Sequence, residues 1–463
     1  MSAASSPVMW REGIRDILPH PEKQHAVEAE GSRRRAIRFR AVGTPGVRPP
    51  GSRRDVSMAT VLFCPVTFNL AETTRMIQVA QALSPSHRAV FMGYEDDYVD
   101  LIRDAGFAYI SQTPAFTRQQ REQLIAFDQG KTLKNPFTER VVADRVSIER
   151  QVIREQGASA VATGSNLTSY ISARAEGVPL YYPVPFALTE PQVRQARQLF
   201  LVEGRGRTAR FMDRMATAAF RWIYTKAPLA PRSFTTVAIA NGVPPMRTIS
   251  SLLTADRNLI TEMPWELEGF TLPDGFERVG PIFAHIEAPM PSIVEELAAA
   301  SRPLVYLGLG SSANRRLAVA AAHALGTLPV NVIAPISHYL GAGETLPPNV
   351  HVTGLLPAHR LGGLVDAAVL HGGQGTIQTA CATGIPFVGM GLQPEQTWHV
   401  RMCERRGNAI AVSPKRVGSP AFVDAVRRVL DDPGIRAAAS EVQQAYAGAD
   451  GAAASARIIE AGL

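Results

Sequence analysis

A chain of 463 residues with 46% hydrophobic and 19% charged side chains can bury cores of domain size, which excludes a wholly disordered chain, a fibrous repeat and a disulfide-stapled miniprotein. Three cysteines (Cys64, Cys381 and Cys403) supply neither a disulfide framework nor a paired zinc spacing, and they point to a reducing interior. The formal net charge is +7, but residues 1–57 hold eleven basic against six acidic side chains, so the rest of the chain is nearly neutral and gives no sign of a nucleic-acid-binding face.

Residues 1–57 lack sustained periodicity, and the stretch Gly43–Gly51 (GTPGVRPPG) is flanked by arginines, which predicts a disordered basic extension. No apolar run reaches the ~18–20 residues that cross a bilayer, and the start has no apolar secretory core. The expectation is a cytoplasmic protein without stable membrane insertion. From Met58, short apolar runs alternate with amphipathic ones. Strands are predicted over Ala59–Pro65, Arg88–Gly93, Ala158–Thr163 and Leu180–Pro183, and a helix over Thr73–Leu83. Further short extended segments fall near Ile260–Thr261 and Arg278–Val279. Residues 186–248 are rich in Phe, Arg and Met (Phe200, Phe211, Met212, Met215, Phe220, Trp222). They read as helix core or, alternatively, as an apolar wall for a hydrophobic acceptor.

A linker is placed at residues 286–302, where two prolines precede a short acidic helix. A second series comes next, with strands over Pro303–Leu309, Val330–Pro335, Val350–Thr353, Ala368–Leu370 and Pro386–Gly389. Its helices are predicted over Ala313–Leu325, Leu361–Ala367 and Thr376–Thr383, and residues 420–463 are Ala-rich and largely helical. The predicted class is α/β, with two facing, doubly wound, Rossmann-like halves at 58–285 and 303–440. A terminal helix at 441–463 is expected to pack back on the first half. Ligands in such sheets bind beyond the carboxyl ends of the strands.

Residues 370–396 (LHGGQGTIQTACATGIPFVGMGLQPEQ) carry most of the chemical signal. A buried strand ends at His371, a Gly-rich turn runs through Gly372, Gly373 and Gly375, and a helix opens near Thr376. Glycines admit close backbone approach, and the exposed N–H groups and dipole of a helix start favour an anion, so a phosphate or diphosphate site is predicted. About 20 residues on, Glu395 and Gln396 suit sugar hydroxyls. A competing dinucleotide fingerprint, Gly308-x-Gly310-x-x-Ala313, lacks the acidic residue that should end the next strand. No P-loop and no metal-spaced His, Cys or Asp cluster is present.

The order His371-Gly-Gly-Gln374-Gly375-Thr376, then Gly384-Ile385-Pro386, then Glu395-Gln396 resembles the donor signature of family 1 glycosyltransferases, the GT-B enzymes that use nucleotide sugars. The resemblance covers roughly residues 58–440 and is strong in the second half. It implies that His371, Gly373, Gln374, Gly375 and Thr376 hold the diphosphate and that Glu395 and Gln396 hold the sugar. By the same resemblance, Gly310, Ser311 and Ser312 form a first phosphate turn, and the segment with Leu355 and Ala358 cradles the base. His338 and Tyr339, after a strand end, are further candidates for the donor pocket.

In the first half the family carries a His base oriented by an Asp. Here Glu72 stands where the His is expected, and the Asp is missing near Gly164-Ser165. A carboxylate in a partly desolvated cleft can itself accept a proton, so Glu72 is the candidate base; the other reading is that it complements the helix dipole. Asn69, Thr163, Ser165 and Asn166 are the candidate acceptor contacts. The resemblance implies an inverting transfer from a UDP- or dTDP-sugar to a small natural-product acceptor. No cofactor or metal is expected, and homodimerisation is left open. A GT-B nucleotide-sugar epimerase or hydrolase and a non-catalytic accessory homologue remain alternatives.

Overall fold

Strand β1 (Thr60–Cys64) shows how the sequence sets the first half. TVLFC is buried throughout, with Val61 and Phe63 in one core and Leu62 and Cys64 in the other, as a strand covered on both faces requires. The computed structural model describes residues 58–463 except 129–131, 133, 205, 284–288, 311–312 and 342. The extension read in residues 1–57, the boundary placed at 285/286, and Ser311 and Ser312 therefore lie outside the described residues.

Two parallel sheets organise these residues. The first contains β1, β2 (Arg88–Gly93), β3 (Ala108–Ser111), β4 (Ala158–Thr163), β5 (Leu180–Val184), β6 (Arg257–Ile260) and β7 (Phe276–Arg278), in the order β3-β2-β1-β4-β5-β6-β7. The second contains β8 (Leu304–Gly308), β9 (Asn331–Ala334), β10 (Val350–Val352), β11 (Ala367–Leu370), β12 (Phe387–Gly389) and β13 (Ala409–Ala411), in the order β10-β9-β8-β11-β12-β13. Chain direction across each sheet reverses once, between β1 and β4 and between β8 and β11. Those switch points are where loops diverge and leave a crevice.

Six helices position the switch-point residues or shape the surface around them: α1 (Leu70–Ala82), α2 (Glu139–Gln156), α3 (Arg207–Thr225), α4 (Gln374–Thr383), α5 (Pro394–Arg406) and α6 (Gly451–Ala461). Helix α6 closes the chain on the first sheet. Its Ala456 and Ile459 join the core of Val61, Phe63 and Met76, and Glu460 accepts a 2.6 Å hydrogen bond from Ser84 N.

The structure departs from the sequence reading at specific places. No helix forms over Leu361–Ala367; a 3₁₀ turn at Ala358–Arg360 and further turns replace it, because Gly362-Gly363 interrupts the run and Gly363 takes φ +76°. Helix α4 opens at Gln374, two residues before Thr376, with Gly373 as its N-cap. Helix α2 has no counterpart among the predicted elements, although Thr138 caps its start and Gly157, in the left-handed region, ends it. Phe211, Met212, Met215 and Trp222 of α3 are exposed rather than core.

Replacing Ile459 with Ala removes a fully buried side chain from the α1–α6 contact and should cost about 2–4 kcal/mol in urea unfolding. A change below about 0.5 kcal/mol would show that the terminal helix is not part of the cooperative unit.

Candidate active site

At the first switch point Asn69 caps α1 and accepts from Glu72 N at 3.3 Å. The Glu72 side chain does not return to the cap. It accepts from Val66 N at 2.6 Å and sits over Gly164, where an added Cβ would lie 2.1 Å from the carboxyl carbon. Gly164 is thus the space the carboxylate occupies, at the position where a second acid is missing. Glu72 is only 5% exposed. Burial raises its pKa above the ordinary carboxylate value, against hydrogen bonds from Val66 and Ser165 and the charge of Arg75. Ser165 is exposed beside it. The other two acceptor candidates turn inward. Thr163 donates to Cys64 O at 3.3 Å, and Asn166 donates to Glu149 Oε1 at 3.1 Å within a buried polar cluster on α2.

At the second switch point His371 comes directly after β11 and is nine-tenths buried. Its Nδ1 lies 3.3 Å from Gly308 O, which places the proton there and turns Nε2 between two glycines. A Cβ on Gly310 would approach the ring to 2.6 Å, and one on Gly373 would approach Nε2 to 2.4 Å. These glycines make room for the imidazole, and Gly310 also needs φ +55°. Burial lowers the His371 pKa, opposed by Gly308 O and the charge of Glu395. A Cβ on Gly375 would meet nothing within 4 Å, so the first turn of α4, with Thr376, opens to solvent space. Tyr339 donates to Gly310 O, and Leu355 is exposed near the half-buried Ala358.

A polar bridge joins the two crevices. Arg75, one turn beyond Glu72, donates to Pro183 O at 3.2 Å and to Gln374 Oε1 at 3.1 Å. The Gln374 amide donates in turn to Thr261 Oγ1 and Glu262 Oε1, both at 2.9 Å. Gln374 therefore spends its polar atoms on the first half. Beneath it, His399 of α5 lies 3.9 Å from Glu266 and 3.8 Å from Glu395. Burial alone would lower the His399 pKa, but Glu266, Glu395 and Glu262 raise it to about 10. Burial and the neighbouring Glu266 push Glu262 up to about 8, so it is mostly protonated at neutral pH. Burial pushes Glu395 upward, yet His399, Arg75 and His371 together hold it below its ordinary value. The Gln396 side chain accepts from Leu392 N at 3.1 Å, within its own loop.

Sequence reasoning passed over Glu262, Glu266 and His399. Each is an ordinary residue in its own segment, and only the fold gathers them.

The chain is similar to several known proteins. Residues 322–459 match the family described as Erythromycin biosynthesis protein CIII-like, C-terminal domain. Over 414 residues the chain is 26% identical to a PGL/p-HBAD biosynthesis glycosyltransferase of Mycobacterium tuberculosis, covering 87% of this chain and 91% of that protein. A 161-residue stretch is 33% identical to 4'-demethylrebeccamycin synthase of Lentzea aerocolonigenes, covering 34% of this chain and 38% of that protein. The spinosyn rhamnosyltransferase SpnG complexed with thymidine diphosphate superposes with a TM-score of 0.60 at 18% identity, covering 87% of this chain and all of that one. The fold is GT-B, with two Rossmann-like domains. Among the described residues no helix is long and apolar enough to cross a membrane.

The charge state of the bridge is measurable. Glu262 and His399 both have folded-state pKa values above their ordinary ones. Their stabilisation is complete below the ordinary values and is lost as pH rises through about 8 and about 10 respectively. The melting temperature should therefore fall between pH 6 and pH 9. The advantage in melting temperature of Glu262→Gln, neutral throughout, over wild type should widen as pH rises from 5 to 8; parallel curves would contradict the assignment.

Proposed function

We propose that the chain is a family 1 glycosyltransferase of the natural-product type that moves a hexose from a UDP- or dTDP-sugar to a small natural-product acceptor, inverting the anomeric carbon, with Glu72 as base. One observation carries the reading: the Arg75–Gln374 hydrogen bond holds the first turn of α1, with its buried carboxylate, opposite the first turn of α4. Residues three apart on a helix are neighbours, so Glu72 stands beside that tie on the acceptor side.

In this reading the diphosphate lies against the open start of α4, where the N–H groups, Thr376 and the His371 turn receive it, with Gly310 across the crevice. Leu355 and Ala358 face the base, and Glu395 and Gln396 stand on the sugar side. An acceptor hydroxyl near Asn69 and Ser165 attacks the anomeric carbon from the face opposite the diphosphate. The new C–O bond forms as the old one breaks, the hydroxyl proton passes to Glu72, and the nucleoside diphosphate leaves with the bond electrons. A raised Glu72 pKa makes it a stronger base than an exposed carboxylate while leaving it ionised at higher pH. The nucleotide sugar is a substrate, and the reading calls for no resident cofactor. The thymidine diphosphate in the SpnG structure supports the thymidine arm.

Glu72→Gln keeps the shape that fits over Gly164 and an acceptor for Val66 N. It should lower kcat about 10²–10⁴-fold with little change in the KM for nucleotide sugar, and it should remove the acidic limb of the pH–rate profile. Turnover within about 3-fold of wild type would overturn the assignment of Glu72. Equal release of free sugar or an epimer with and without acceptor would overturn glycosyl transfer itself.

A further inference from the structure

Helix α3 is built with its polar side inward. Asp213 accepts from Phe200 N at 3.3 Å and Val202 N at 2.9 Å, and Thr217 accepts from Leu199 N at 3.0 Å. The opposite face carries Phe211, Met212, Met215 and Trp222, exposed by 60%, 52%, 57% and 63%. At 100° per residue these four span a single stripe. Arg207, Arg210 and Arg214 lie along one flank, all exposed, and Lys226 comes just after the helix end. The only acid on α3 is the buried Asp213, so its outer surface holds no negative charge. Beside that flank a cavity of about 480 Å³ is lined by Arg194, Arg197, Arg214 and Arg221. Arg194 pairs with Glu190 and Arg221 with backbone carbonyls, while Arg197 and Arg214 have no ion-pair partner among the described residues.

We propose that the outer face of α3 docks the protein on an anionic lipid surface, with Phe211, Met215 and Trp222 entering the headgroup boundary and the arginine flank meeting lipid phosphates. An aromatic and aliphatic stripe bordered by arginines is the composition of a helix lying in a membrane interface. Guanidinium groups match phosphate oxygens in geometry and charge. Charge selects this occupant over a second copy of the chain. A second copy would bring the same arginines to the patch with no acid on α3 to meet them. The docking needs no membrane-spanning helix, and no α3 residue is among the proposed base and donor contacts.

The test is co-sedimentation of the full chain, without nucleotide, with phosphatidylcholine vesicles lacking or containing about 30% phosphatidylglycerol. Wild type should bind the anionic vesicles at least ~10-fold tighter than the neutral ones, and added salt should reduce the difference. The variant Phe211→Ser/Met215→Ser/Trp222→Ser should lose at least ~10-fold of that binding. The variant Arg207→Gln/Arg210→Gln/Arg214→Gln should bind both vesicles alike. Both should keep the wild-type melting curve and the wild-type affinity for nucleotide, which separates failure of docking from failure of the fold or of the donor site. Absent vesicle binding would overturn the proposal. So would binding unchanged in both variants, which would place the contact elsewhere, for example in residues 1–57. A concentration-dependent dimer abolished by the apolar variant and indifferent to vesicles would assign the face to a second copy instead.

Discussion

The guanidinium of Arg75 is the group on which the cleft depends. It reaches from the first helix of one domain to the opening residue of α4 in the other. Half-buried, it sits at a junction with a second cation, the buried His399, and three carboxylates, Glu262, Glu266 and Glu395. Protonation of Glu262 balances the set at neutral pH. The cluster therefore does more than hold two domains together. It ties α1, which carries Glu72, to α4, which opens just after the turn at His371.

The two switch points share a device. In each, a bulky polar side chain occupies the space that a glycine leaves: Glu72 over Gly164, and His371 against Gly310 and Gly373. Rigidity comes from these fits and from backbone contacts at Val66 N and Gly308 O. The carboxylate at Glu72 reaches toward the spot where a partner acid is expected, so one residue fills space that a pair would otherwise share.

The doubly wound halves were legible because β1, β4, β8 and β11 are continuous apolar runs ending in Gly or polar turns, the pattern a sheet buried on both faces imposes. The His371 turn was legible because its glycines and helix start are contiguous. What stayed hidden was nonlocal. Arg75 and Gln374 are 299 positions apart, and no local pattern marks their contact. Thr163 ends β4 and Asn166 falls just past it, where acceptor contacts were expected, yet Cys64 O and Glu149 draw their polar atoms inward. In α3 the apolar spacing matched a core helix, but the inward face is satisfied by Asp213 and Thr217. Periodicity identifies a face and not its partner.

The most direct measurement is a crystal structure of the chain with UDP or dTDP bound. The account predicts the diphosphate within hydrogen-bond distance, about 2.7–3.2 Å, of backbone N–H groups at the start of α4, with the Glu72 carboxylate facing the same cleft. A nucleotide bound elsewhere, with the turn at His371 empty or filled by side chains, would contradict it.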